Sequence, residues 1–227
     1  MLNLKNIRAF IFDMDGTLID SMRYWRRENK NFLDRHGYPV PEDLKDTLEC
    51  VSSHAFARRF SAEHSEFTYE GMVAEYAAQM DRLYVTEVPE KPGAGEFLDY
   101  LREKGYITCV ATATNRRVAS NALAHQGFLE KLAFVTDDAE SGMSKGNPRY
   151  FINLAARLGV KPEECVMFED SAYAMKSAKQ AGLTVFAIEE YVFLHEEETM
   201  KTIRETADLF VHDFYEAKAA MEEALAE

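Results

Sequence analysis

Residues 10–21 read F-I-F-D-M-D-G-T-L-I-D-S: an apolar run, two aspartates with one residue between them, then a glycine and a threonine. Asp-Gly is a common turn pair. That accounts for Asp15 and Gly16 and leaves Asp13 unexplained. On a strand, residues i and i+2 share a face. The Asp13 and Asp15 carboxylates would then repel one another unless a cation sits between them or one carries a proton. Both are devices of catalysis. Three further segments carry groups of matching chemistry: A-T-A-T-N at 111–115, S-K-G-N-P at 144–148 and F-E-D-S at 168–171. Brought together, Asp13, Asp15, Glu169, Asp170, Thr112 and Lys145 make an acidic cation site flanked by groups that hold an anion. Phosphoryl transfer through an aspartyl-phosphate needs this set. In that chemistry Asp13 attacks phosphorus and Asp15 passes a proton to the leaving alkoxide. Mg²⁺, which prefers oxygen ligands, is expected on Asp13 and Asp170, with Glu169 and the main-chain carbonyl of Asp15 in support. Thr112, the Ala113 N–H and Lys145 are expected to hold phosphoryl oxygens. Gly16 and Thr17 make the turn that lets the backbone approach them.

These residues need a common scaffold, and the chain alternates strand and helix signals. Strands are predicted at Ile7–Asp13, Tyr106–Thr112, Leu132–Thr136, Cys165–Glu169, Leu183–Ile188 and Leu209–His212. Several are apolar on both faces, as a parallel sheet between helices requires. Helices are predicted at Ala94–Lys104, Arg116–Gln126, Pro148–Leu158 and Ser171–Ala181. Gly105, Gly127, Gly159 and Gly182 stand at their ends, where a left-handed residue is wanted. This βαβα order predicts an α/β fold, a Rossmann-like doubly wound parallel sheet. Ligands of such sheets bind beyond the carboxyl ends of the strands, where all four segments end. Residues 21–88 break the rhythm. They show helical periodicity at Met22–His36, Pro41–Cys50, Ser53–His64 and Thr68–Tyr84, so an all-helical domain is predicted there. It is inserted into a core of residues 1–20 and 89–227.

Composition excludes several partners. The 227 residues carry a net charge of −13, which repels nucleic-acid backbones and anionic membranes. A hydrophobic share of 47% supports a sizeable core. Cys50, Cys109 and Cys165 are widely spaced and sit beside apolar residues, so free buried thiols in a reducing cytoplasm are expected. Met1–Asn6 lacks a cationic segment leading into a long apolar one, and no run approaches the ~18 residues of a membrane span. The expected partner is a small phosphate ester, and the expected assembly is a monomer or weak homodimer. The H-E-E-E run and the acidic C-terminal helix read as solvated faces.

D-M-D-G-T-L, the A-T-A-T strand end, the lysine before a helix and F-E-D-S, in this order, resemble the haloacid dehalogenase superfamily. The similar subgroup has a helical cap after the first strand and includes phosphoglycolate-type phosphatases and β-phosphoglucomutase. The resemblance implies a Rossmann-like core, Mg²⁺, and a cap domain that opens and closes and supplies substrate recognition. It places the motif residues on Asp13, Asp15, Thr112, Lys145, Glu169 and Asp170. Tyr24, Trp25, His54, Arg58 and Arg59 are the cap candidates for substrate contact. Many relatives read K-P-x-P-D where this chain has Lys145-Gly146-Asn147-Pro148-Arg149, so a looser lysine loop is expected. Ala174 stands where relatives often carry glycine and is expected to push its helix slightly away. Trp25 replaces a histidine common in mutase-like relatives, and their G-x-S-R loop is absent. The function expected is a Mg²⁺-dependent phosphatase. The alternatives are a sugar-phosphate mutase and a non-catalytic phosphate-binding module.

Overall fold

The computed structural model describes residues 4–45, 47, 48 and 51–226. Cys50 and the end of the helix predicted at Pro41–Cys50 lie outside them. The chain divides into two compact units, Met1–Asp20 with Pro89–Glu227, and Ser21–Val88.

The first unit is built on six strands: β1 Ala9–Phe12, β2 Ile107–Thr112, β3 Val135–Asp137, β4 Cys165–Glu169, β5 Thr184–Ile188 and β6 Leu209–Val211. They pair in the order β3-β2-β1-β4-β5-β6, and every pairing is parallel. The fold is therefore the predicted α/β doubly wound sheet. β1, β3 and β4 are buried along their whole length, which explains why their sequences show no polar alternation. Ala9, Ile11, Cys109, Ala111, Cys165 and Met167 join one core cluster with Phe151, Leu154 and Met175. On the opposite face Phe12 stacks on Phe168 at 5.1 Å between ring centres. Phe97 and Phe214 each approach Phe168 to 5.4 Å. This aromatic layer fixes the ends of β1 and β4 side by side. Phe12 pairs with Val110 on one side and Phe168 on the other. The strand order reverses between β1 and β4, so the two strands open a crevice at their carboxyl ends.

The second unit contains α1 Met22–His36, α2 Ser53–Glu63 and α3 Tyr69–Tyr84. Phe32, Leu33, Phe56, Phe60, Met72 and Tyr76 form its core, and no strand occurs among its described residues. Ser52 and Thr68 cap α2 and α3 by accepting the N–H of Ala55 and Gly71, the usual service of a hydroxyl at a helix start. In the described part of the segment predicted as Pro41–Cys50 the chain forms a 3-10 turn at Glu42–Leu44, Leu48 is again in 3-10 conformation, and there is no α-helix. The two aspartates and threonine of E-D-L-K-D-T favour turns over helix interiors.

The first unit adds α4 Ala94–Glu103, α5 Arg116–His125, α6 Asp138–Ser141, α7 Pro148–Leu158, α8 Ala172–Gln180, α9 Glu197–Thr206 and α10 Phe214–Ala226. Gly105, Gly127, Gly159 and Gly182 adopt φ of 80, 70, 72 and 95°. The third strand starts at Val135 rather than Leu132 because Leu129–Lys131 first closes a 3-10 turn. The H-E-E-E run opens α9, with Glu197 and Glu198 in its first turn, where the helix dipole favours acids. No helix of the described residues is long and apolar enough to cross a membrane.

Candidate active site

β1 ends at Phe12. The Asp13 N–H extends the ladder by one bond, to Phe168 O at 3.0 Å, and the chain then turns. Met14 O accepts the N–H groups of Thr17, Leu18 and Ile19 at 3.3, 3.0 and 3.1 Å, and Gly16 N–H returns to Ile19 O at 2.9 Å. Gly16 sits at φ 79°, where a Cβ is unfavourable. Asp13 and Asp15 thus stand in a tight turn and not on a strand face, contrary to the i, i+2 reading of the sequence. The repulsion between them persists in this turn, since Asp15 adds to the upward shift of the Asp13 carboxyl.

The cluster at this edge is formed by Asp13, Glu169 and Asp170, whose carboxylate oxygens lie within 4.8 Å of one another, all three buried. Lys145 is 2% exposed. Its Nζ donates to Asp13 Oδ1 and, at 2.9 Å, to Glu169 Oε2. The other oxygen of Glu169 accepts Ser171 Oγ at 2.6 Å and Ser171 N at 3.2 Å. Glu169 is therefore fixed from both ends.

One ammonium does not balance three buried carboxylates. Burial is the main cause that pushes Asp13 up to about 8, with Glu169 and Asp15 adding to it and Lys145 opposing. Burial, followed by Glu169 and Asp13, pushes Asp170 well above the carboxylate range. For Lys145 burial works downward, but Asp13 and Glu169 outweigh it and hold the ammonium well above its usual value. All-oxygen donors with surplus negative charge match the ligand preference of Mg²⁺. The residues present fit that ion.

Asp15 is not part of the cluster. Its Oδ2 accepts Thr114 Oγ1 at 2.7 Å, and Thr114 N–H donates to Thr112 Oγ1 at 3.0 Å. Thr112 is buried and Ala113 is exposed. Thr17 Oγ1 is buried with no hydrogen-bond partner in the protein. The lysine turn is held despite its missing proline: Asn147 N–H donates to Ser144 O at 3.0 Å, and Asn147 Oδ1 accepts Arg149 N at 3.0 Å to cap α7. Ala174 is wholly buried in the core cluster.

Sequence reasoning put Thr114 at the sheet edge without a role, and it missed Lys91 altogether. Lys91 Nζ bonds Glu190 Oε2 at 2.7 Å and Glu189 O at 3.2 Å, and Asp20 Oδ1 lies 3.9 Å away. Lys91 N–H also donates to Leu18 O, and Asp20 N–H to Pro89 O, both at 2.9 Å. The pair is buried, with side chains 8% and 0% exposed. It ties the segment entering at Pro89 to the end of β5. In sequence Lys91 is one of two charged residues in V-P-E-K-P-G at 88–93. Lys91→Met strands the Glu190 charge, an expected loss of about 3–5 kcal/mol. Denaturant unfolding measures it, and Lys91→Met with Glu190→Leu should recover most of it.

The five candidates in the helical unit do not converge on one point. Tyr24 OH donates to Glu87 O at 2.9 Å, and Trp25 Nε1 donates to Tyr84 OH at 3.0 Å. His54 Nδ1 stands 3.1 Å from Tyr69 OH, and Arg58 lies over the same ring at 5.0 Å. Arg59 is held by Asp43 at 2.7 and 3.1 Å and by Glu63 at 3.2 Å.

The chain belongs to the haloacid dehalogenase-like hydrolase family, whose model matches residues 7–182. It is 30% identical to hexitol phosphatase A of Escherichia coli K12 over 80% of this chain and 82% of that one. It is 27% identical to a phosphorylated carbohydrates phosphatase of Thermotoga maritima over 78% and 82%. Its fold is shared by a family hydrolase of Deinococcus radiodurans, crystallised with phosphate and sodium. The TM-score there is 0.73 at 22% identity, over 96% of each chain.

Proposed function

We propose that this hydrolase is a phosphatase that cleaves a small phosphate monoester through a phosphorylated Asp13. The observation that carries the reading is the buried Asp13–Glu169–Asp170 cluster bridged by Lys145 at the mouth of the sheet crevice. The names of the curated relatives, phosphatases of hexitols and phosphorylated carbohydrates, support it.

In this reading an Asp13 oxygen forms a bond to phosphorus as the bond from phosphorus to the ester oxygen breaks. Asp15 gives its proton to the departing alkoxide. Asp15 then takes a proton from the water that attacks phosphorus, and the Asp13–phosphate bond breaks to release inorganic phosphate. Thr114 donates to Asp15 Oδ2 and so orients the carboxyl that exchanges the proton. Lys145 orients Asp13 and faces the phosphoryl oxygens, with Thr112, the Ala113 N–H, Gly16 and Thr17 beside them. Mg²⁺, held by Asp13 and Asp170 with Glu169 and the Asp15 carbonyl in support, supplies when bound the positive charge that keeps the cluster ionised and offsets the phosphoryl group. The helical unit 21–88 is assigned the cap role of selecting the ester, with Tyr24, Trp25, His54, Arg58 and Arg59 as the residues to vary. Buried Cys109 and Cys165 suit a reducing cytoplasm.

The test is phosphate release from an aryl phosphate and a panel of sugar, nucleoside and glycerol phosphates, with and without Mg²⁺. Reaction in ¹⁸O-labelled water should place the label in inorganic phosphate. Conversion of a sugar 1-phosphate to its 6-phosphate faster than phosphate appears would overturn the reading in favour of a mutase. No phosphate release from any ester would remove the enzyme reading. Thr114→Val should lower kcat about 10-fold with a smaller change in KM, since it removes the hydrogen bond that orients Asp15. Single-turnover kinetics checks this.

A further inference from the structure

Tyr173 is half exposed although it stands near a cluster of buried charged groups. It lies in the first turn of α8, two residues after Ser171, whose hydroxyl fixes Glu169. Single exposed aromatics are ordinary. What distinguishes this one is its neighbourhood. Burial pushes its phenol up to about 12, and its surroundings include Lys145, Glu169, Asp13 and Asp138. By contrast, the exposed Tyr215 donates to Glu96 at 3.2 Å, remote from the cluster.

The lysine turn leaves room for the ring. Gly146 is not among the glycines with positive φ, so its backbone does not demand glycine. A Cβ there would stand 3.5 Å from Tyr173 Cδ2 and 3.3 Å from Ser144 Oγ. The edge of the ring therefore borders the lysine turn at Gly146, next to Lys145. Tyr173 is not a member of the core cluster.

A phosphoryl group bound to Asp13 must lie beside Lys145, because Nζ already bonds Asp13. We infer that Tyr173 is a specificity-determining residue whose ring packs against the alcohol part of the substrate, and that this part is a ring with an apolar face, as in a cyclic sugar or a nucleoside. The inference rests on the phosphatase reading and adds the substrate class. The aromatic face offers dispersion and C–H contacts to such a ring and little to a short acyclic polyol. A tyrosine also restricts few rotatable bonds on binding.

The experiment compares glucose 6-phosphate, uridine 5′-monophosphate and glycerol 3-phosphate as substrates of wild type, Tyr173→Phe and Tyr173→Ala, with inhibition by inorganic phosphate measured alongside. Tyr173→Ala should raise KM for at least one ring-bearing ester ~3- to 10-fold relative to KM for glycerol 3-phosphate, the range that an aromatic contact contributes. The rise should exceed any fall in kcat. Tyr173→Phe should keep the wild-type preference. The ester affected separates a sugar from a nucleoside. Equal losses on all three esters, or matching weakening of inorganic phosphate, would show that Tyr173 serves the phosphoryl site and overturn the inference while leaving the phosphatase reading in place. Unchanged preferences would overturn it as well. If wild type hydrolyses none of the three, nor the aryl phosphate, the phosphatase reading falls and the inference falls with it.

Discussion

Asp13→Asn lowers phosphate release on the order of 10⁴-fold or more at saturating ester, the loss expected when a covalent path disappears. The amide cannot attack phosphorus, and the competing path, direct attack by water, lacks a nucleophile held against the phosphoryl group. Stability should move the other way. Asp13 is 4% exposed and shares its surroundings with two other carboxylates, so an uncharged isostere costs little below about pH 8 and relieves repulsion above it, where Asp13 ionises. Lys145 keeps its bond to Glu169 at 2.9 Å and is not stranded. The metal-free variant should therefore melt at or above the wild-type temperature. Steady-state kinetics with a melting curve checks both halves. Retention of a tenth of the wild-type rate would remove Asp13 as nucleophile. A rate loss with collapse of the fold would show that the amide disrupts packing rather than chemistry.

The sequence carried the sheet well because its signal is local. β4 and α7 have the bounds expected from C-V-M-F-E and from P-R-Y-F-I-N-L-A-A-R-L. Asn147 and Gly159 mark the start and stop of α7 by cap chemistry that two residues define. The meeting of Asp13, Lys145, Glu169 and Asp170 was legible for another reason. Each follows an apolar run or precedes a helix, and a parallel sheet sends all such ends to one edge. The turn at Met14–Ile19 was not legible, because three N–H groups converging on one carbonyl leave no mark in residue types. Nor was the Lys91–Glu190 pair, 99 residues apart in sequence. A buried ion pair is specified by tertiary proximity, while composition shows just two charges among many. Thr114 lay between. Its position at the sheet edge was visible, but its bond to Asp15 depends on how the turn after β1 folds back.

Chelation should abolish turnover, and the metal-free protein should lose stability as pH rises. The second effect follows from the cluster. Asp13 titrates near 8 in the folded protein against 3.8 for an exposed aspartate. Between those values the folded state binds more protons at this site than the unfolded state does. Stability then has a negative slope in pH: it is fully present below about 3.8 and lost as pH rises through 8. Asp170 is shifted in the same direction. The Lys145 ammonium is held above its usual value, and its contribution stays constant throughout this window. Surface acids such as Asp43, lowered by its hydrogen bond to Arg59, titrate below it. Melting curves in chelator from pH 5.5 to 8.5 should fall on the order of 5–10 °C for a chain of this size. Asp13→Asn should reduce the slope. Millimolar Mg²⁺ should raise the melting temperature and flatten the curve, because a cation in the cluster replaces the protons that burial demands. Ca²⁺, with looser coordination, should flatten it too but support little turnover. A metal-free melting temperature that stays level or rises across the window would show that the three carboxylates share less charge than their 4.8 Å spacing implies. Full activity in excess chelator would show that Lys145 alone carries the electrostatic load at the phosphoryl group.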